Sequence, residues 1–332
     1  MKTLSLLVFM LCFLTYAQST SNYDLSKEKF DIENITFRDS INNANIKGEL
    51  ITPKQNFKHL IILVPGSGKD TRYSHPMLVN ALLENNIGVL RIDELGVGES
   101  GGKYSPLSTA LQGTTKYAFL FLKNKISKNI KIGLIGHSLG GQATMSVYKL
   151  FPNDVSFLVQ ISAPIDSFKN DIIWKIENNT FNNYVFANKP KTEILSFAKE
   201  VTDIMFNNQE KGFDAVKQLC FKVGKEKKIS KYDITTIVNP VYYDIMKYDF
   251  TYDYQNVSIP LLYIIGSNDN VINWQHQKDI LSKINNPNVR YNILTNANHY
   301  LTDRNINNVN SENFYQIDPE ALNIIIAFIK KI

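Results

Sequence analysis

The chain has 332 residues, 44% hydrophobic and 20% charged, inside the ordinary range of a soluble globular protein and far from a disordered composition. Its 36 basic and 31 acidic residues leave a net charge of +5, too small a surplus on this length to indicate a nucleic-acid-binding protein. Two cysteines, Cys12 and Cys220, exclude a disulfide scaffold and a cysteine-based zinc site.

The chain opens with Lys2, an apolar run from Leu4 to Leu14, and small residues at Thr15 and Ala17. This is the layout of a secretory signal peptide over residues 1–17, cut after Ala17. The run falls short of the about 20 apolar residues that a spanning helix needs. The expectation is therefore export to the periplasm or the exterior, without stable membrane insertion after cleavage. A lipoprotein reading of Cys12 is set aside, because Leu11 before it is not small and cutting there would fall inside the apolar run.

From Asn34 to Pro53 two strands joined by an Asn-rich turn form a hairpin pattern. Apolar runs follow at His59–Val64, Ile87–Asp93, Ile130–Ile135, Val155–Ser162, Ile259–Ile265 and Val289–Leu294. Runs that are apolar on both faces suit a parallel sheet covered by helices. Helical patterns lie at His75–Glu84, Pro106–Lys125, Ser138–Leu150, Trp274–Ile284 and Asp318–Ile329. Alternation of this kind predicts βαβ units and a doubly wound, mostly parallel sheet. From about 165 to 254 the alternation stops, and only amphipathic segments rich in Lys, Asn and aromatics remain. A helical cap inserted into one body spanning 18–332 is the expectation. Its aromatics Phe168, Trp174, Phe181, Tyr184 and Phe186 either line an acyl pocket or pack the cap down. Cys220 reads as a small buried apolar residue, and the lysine-rich run Lys222–Lys231 as a solvated face.

Gly136-His137-Ser138-Leu139-Gly140 follows a strand run and opens a helix. This G-x-S-x-G in a strand–turn–helix context is the nucleophile elbow, where glycines make room for a tight turn that lifts the serine Oγ above the sheet edge. A serine needs a base, itself oriented by an acid. Of five histidines, His299 stands just past the last strand, at the edge where ligands bind in open α/β sheets. Asp269, just past Leu261–Ile265, is the favoured acid, with Asp166 after the preceding strand as the alternative. His276 reads as a solvated or capping histidine. The order Ser138, Asp269, His299 is that of α/β-hydrolase triads. For the oxyanion hole, the N–H of Leu139 and a second N–H from Gly66-Ser67-Gly68, chosen as Ser67, are the candidates. A phosphate-loop reading of Pro65–Thr71 fails on spacing.

These residues resemble the α/β-hydrolase superfamily: Val64–Arg72, Asp93–Ser100, Gly136–Gly141, Gly266–Val271 and Ala297–His299. Within it they look most similar to bacterial EstD-type carboxylesterases of the serine-aminopeptidase-like branch, from about Asn34 to the C-terminus. The resemblance implies a serine esterase acting on a small-molecule ester, with Ser138, Asp269 and His299 in the triad, a helical cap, and no cofactor or metal. A serine aminopeptidase or acyl-peptide hydrolase on the same groups stays open, as does a non-catalytic binding protein. Two departures stand out. Glu94-Leu95 replace the usual Asp-Arg before the Val-Gly-x-Ser turn, and Lys69-Asp70-Thr71-Arg72 replace the usual Pro-Gln-Asp-Arg.

Overall fold

Successive residues of a strand face opposite ways, so a strand apolar at every position must be covered on both sides. The computed structural model, which describes residues 28–181 and 189–332, shows this at β3 (His59–Val64). Leu60, Ile62 and Val64 join one buried cluster and Ile61 and Leu63 the other. The first cluster is closed by α2 (Ser108–Lys125) and α3 (Leu139–Leu150), through Phe119, Leu122 and Met145. The second is closed by α1 (Pro76–Glu84) and α11 (Pro319–Ile329), through Leu78, Leu82, Ile325 and Ile329. Burying a side chain of this size contributes about 1.5–3 kcal/mol, which makes the alternation of β3 a strong constraint on where the helices sit. The expected signal peptide with Cys12, and Tyr184 and Phe186, lie outside the described residues.

The eight strands run in the order β1-β2-β4-β3-β5-β6-β7-β8, with β1 at Phe30–Asp39, β2 at Ala44–Pro53, β4 at Ile87–Ile92, β5 at Lys131–His137, β6 at Phe157–Ile161, β7 at Leu261–Gly266 and β8 at Val289–Leu294. The β1–β2 and β2–β4 pairings are antiparallel and the remainder parallel. The fold is thus the expected mostly parallel, doubly wound sheet with an N-terminal hairpin. The hairpin starts at Phe30, four residues earlier than the sequence pattern suggests, and Phe30 pairs with Pro53. Asp31 and Glu33 hide this start in the sequence, because they occupy exposed positions of an edge strand while Phe30 is the one residue of the first five to enter the core.

Between β6 and β7 the described residues hold helices and no strand. These are α4 (Lys169–Glu177), α5 (Lys191–Asn207), α6 (Phe213–Glu226), α7 (Lys231–Ile237), α8 (Pro240–Met246) and α9 (Thr251–Asn256). Phe197, Val201, Met205, Val216 and Ile234 bury their side chains here in the same cluster as α2 and α3. Cys220 is buried among them, and burial pushes its thiol up to about 12. Helix α10 (Trp274–Lys283) follows β7. None of the helices among the described residues is long and apolar enough to cross a membrane.

Candidate active site

The sharp turn between β5 and α3 holds Ser138 at φ 53°, ψ −120°, a left-handed conformation that a serine adopts only under constraint. Part of that constraint is close packing at Gly140, where a Cβ would lie 2.3 Å from the Val64 carbonyl oxygen. The Ser138 N–H donates to the Ile161 carbonyl at 2.8 Å, tying the turn to the end of β6. Its side chain makes no capping bond to α3, so Oγ is not spent on the helix it precedes. The N–H groups of Leu139 and Ser67 find no acceptor among the described residues. For Leu139 this is expected, since the first N–H groups of a helix have no partner within it. The loop after β3 approaches closely: a Cβ at Gly66 would lie 3.2 Å from Ser138 Cβ.

The loops after β7 and β8 bring Asp269 and His299 together, with His299 Nδ1 2.8 Å from Asp269 Oδ2. Asp269 Oδ1 accepts the N–H groups of Val271 and Ile272 at 2.8 and 2.9 Å. The carboxylate is therefore held on one edge by its own loop and presents the other to the imidazole. Both residues are buried. The two loops are also pinned to each other, as Asn268 N–H donates to the Ala297 carbonyl at 2.9 Å.

The serine joins this pair through the residue before it. His137 Nε2 lies 3.2 Å from the His299 carbonyl oxygen, and the two rings are 5.0 Å apart. Ser138 Oγ and His299 are not themselves hydrogen-bonded in this structure, where the His299 bonds run from its carbonyl to His137 and from Nδ1 to Asp269. Behind His299, the His75 ring stacks on Tyr315 at 3.9 Å and approaches the His137 ring at 5.1 Å. Burial lowers His75 to about 3 and drives His137 well below the ordinary histidine range. Both stay neutral at physiological pH, so neither sets a fixed cation beside His299.

The departures in the glycine–serine loop have a structural outcome. Arg72, in the loop after β3, is buried against Asp93 at the end of β4, Nη2 to Oδ2 at 2.6 Å. Asp93 Oδ1 accepts the Arg72 N–H at 2.8 Å, and Oδ2 accepts the Glu99 N–H at 2.9 Å. Burial opposes ionisation of Asp93, yet the Arg72 guanidinium and these N–H groups hold its carboxyl below the usual range. One ion pair thus fastens the loop after β3 to the turn after β4. Beside it lie two buried acids. Asp70 Oδ1 accepts the Tyr315 hydroxyl at 3.0 Å, and burial raises Asp70 to about 6. Glu94 is raised well above its ordinary value by burial and by Asp70.

Asp166, the alternative acid, does not reach His299. Its Oδ2 lies 2.7 Å from His276 Nε2, and Asn170 Nδ2 donates to the same oxygen at 2.6 Å. His276 is therefore paired, a correction to its reading as merely solvated or capping, and the Asp166 bond raises its pKa. The roles of His137, Arg72 and Tyr315 were missed in the sequence. Nothing in its local pattern marks contacts between residues 162, 21 and 245 positions apart. The motifs contain Asp70, Arg72, Asp93, His137 and His299 but give no sign of which pairs meet, and Tyr315 lies outside them all. Among the described residues no cluster of His, Cys, Asp and Glu fits a metal ion.

The sheet order, the elbow and the Asp269–His299 pair define a class, and residues 59–304 match the family described as alpha/beta hydrolase fold. The chain belongs to the α/β-hydrolase-fold family. Among solved structures it is similar to the esterase Pf2001 of Pyrococcus furiosus, with 18% identity, a TM-score of 0.57, and coverage of 91% of this chain and 90% of that one. It is also similar to the α/β hydrolase GrgF of Penicillium sp. sh18, with 17% identity, a TM-score of 0.55, and coverage of 91% and 98%. At these identities the likeness is one of fold. No curated relative matches the chain.

Proposed function

We propose that the protein is an exported serine hydrolase that cleaves carboxylic esters, nearest in kind to the EstD-type carboxylesterases. The observation that carries this reading is the Asp269–His299 pair at 2.8 Å, tied through His137 to a serine held at positive φ. Ser138 Oγ attacks the ester carbonyl as His299 Nε2 takes its proton. His299 then protonates the departing alcohol, leaving an acyl-serine. Asp269, bonded to Nδ1, keeps Nε2 free to accept and stabilises the imidazolium. The N–H groups of Leu139 and Ser67 receive the oxyanion. Water activated by His299 attacks the acyl-serine, releases the acid and restores the serine. The insert between β6 and β7 serves as the cap over this site, and residues 1–17 as the export signal.

Covalent labelling with a fluorophosphonate probe tests the reading, with labelling expected for the wild type and absent in Ser138→Ala. An unlabelled wild type refutes it and favours a binding protein, and equal labelling of the two refutes Ser138 as the nucleophile. A panel of esters graded by acyl length, run beside aminoacyl amides, separates an esterase from a peptidase.

A further inference from the structure

Helix α4 carries two lysines treated very differently. Lys169 pairs with Asp203. Lys175 is half-buried and has neither an ion-pair partner nor a hydrogen-bond acceptor among the described residues, its ammonium lying 5.1 Å from the Phe168 ring centroid. The natural partner one turn earlier is Asp171, since residues four apart face each other on a helix. That carboxylate is drawn the other way: its Oδ1 accepts the Asn273 N–H at 2.7 Å, in the loop that carries Asp269. Asp171 Oδ2 is buried without a partner.

Phe168 immediately precedes α4, in the loop that leaves β6. The last residue of β6, Ile161, holds the Ser138 N–H on its carbonyl. Helix α4 is tied through Asp171 to the loop that carries Asp269, and Asp171 and Asp269 are the acids whose charge Lys175 feels. Burial holds its pKa below the ordinary lysine value, and burial raises Asp171 to about 7, which leaves that acid partly neutral at physiological pH. Tyr242 packs its ring against the same Phe168, 5.7 Å between centroids. A half-buried cation without a counter-ion is costly, and charge-assisted hydrogen bonds to a carboxylate are among the strongest available to it.

We propose that Lys175 receives a carboxylate carried by the substrate, making the preferred substrate an anionic ester, an assignment that rests on the esterase reading above. The test compares kcat/KM for a matched pair of 4-nitrophenyl esters, pentanoate and glutarate, which differ by a carboxylate on the acyl side. Phenyl acetate and 4-acetoxybenzoate do the same for the alcohol side. In Lys175→Met the ratio of anionic to neutral kcat/KM falls at least tenfold in one of the two pairs, which also identifies the side. In Lys175→Arg it stays within about threefold of the wild type. Ratios in Lys175→Met equal to those of the wild type in both pairs overturn the proposal. Calorimetric binding of monomethyl glutarate and 4-acetoxybenzoate to Ser138→Ala keeps the two readings apart, because it requires no turnover. Binding of either that is lost on adding Lys175→Met upholds the carboxylate site even if no ester is hydrolysed, and equal affinities, or binding of neither, reject it.

Discussion

Replacing Asp269 by asparagine isolates the role of the acid with little disturbance of the loop. Asp269 Oδ1 already accepts the Val271 and Ile272 N–H groups, and an asparagine carbonyl oxygen can keep both. The change falls on the other edge, where Oδ2 meets His299 Nδ1 at 2.8 Å. An amide NH₂ there is a donor, so Nδ1 must become the acceptor and the ring proton moves to Nε2. His299 can then no longer take the Ser138 proton. A tautomer error of this kind in a Ser-His-Asp site costs about 10⁴ in kcat, or roughly 5.4 kcal/mol of barrier. The assay is hydrolysis of a 4-nitrophenyl ester under saturating conditions, with circular dichroism confirming the fold. Asp166→Asn is the control. Asp166 serves His276 and not His299, so its kcat should change by less than about threefold. A loss in Asp166→Asn as large as in Asp269→Asn, or an Asp269→Asn enzyme within about tenfold of the wild type, would refute the reasoning.

Arg72→Met should destabilise the protein by roughly 3–5 kcal/mol, the cost of leaving one partner of a buried ion pair uncompensated, since both Arg72 and Asp93 are almost fully buried. Glu99→Gln, at the solvent-exposed end of the same network, should cost less than about 1 kcal/mol, with urea unfolding measuring both. Gly140→Ala drives a methyl group into the backbone carbonyls of Val64 and Pro65. A loss of at least about 1–3 kcal/mol in the same assay is expected, together with impaired fluorophosphonate labelling of Ser138. Asp70 makes stability pH-dependent in a defined sense. Its folded pKa of about 6 lies above the unfolded value, so the folded state binds its proton more tightly and stability from this group declines as pH rises from about 4 to 6. Asp70→Asn keeps an acceptor for the Tyr315 hydroxyl and removes that penalty. Its gain over the wild type should be near zero at pH 4 and about 1–3 kcal/mol at pH 8, an upper bound set by roughly two pKa units. A gain independent of pH would contradict the assignment.

The meeting of Asp269 with His299 and the tight turn at Ser138 were legible because each residue sits in a local context that forces its position. The apolar runs of β3 to β7 require cover on both faces, and the glycines around Ser138 permit one kind of turn. The positions just past β7 and β8 place Asp269 and His299 at one edge of any parallel sheet with this order. The start of β1 was illegible for the opposite reason: Asp31 and Glu33 face solvent on an edge strand, and only the pairing of Phe30 with Pro53 recruits them.

What the sequence by itself determined is the periodicity of its elements and the turn chemistry between them, properties that span a few residues and are set by local sterics and by which side chains must leave water. Tertiary structure alone decided which acid serves which histidine. Asp166 and Asp269 each follow a sheet strand, and His276 and His299 both lie beyond them in the chain. The choice between the pairs turns on loop paths and on a few ångströms of hydrogen-bond geometry. The same holds for Lys175. A lysine one turn after an aspartate reads as an ordinary surface pair until the Asn273 N–H takes that carboxylate away, and hydrogen bonds across 102 positions of chain have no signature in local pattern.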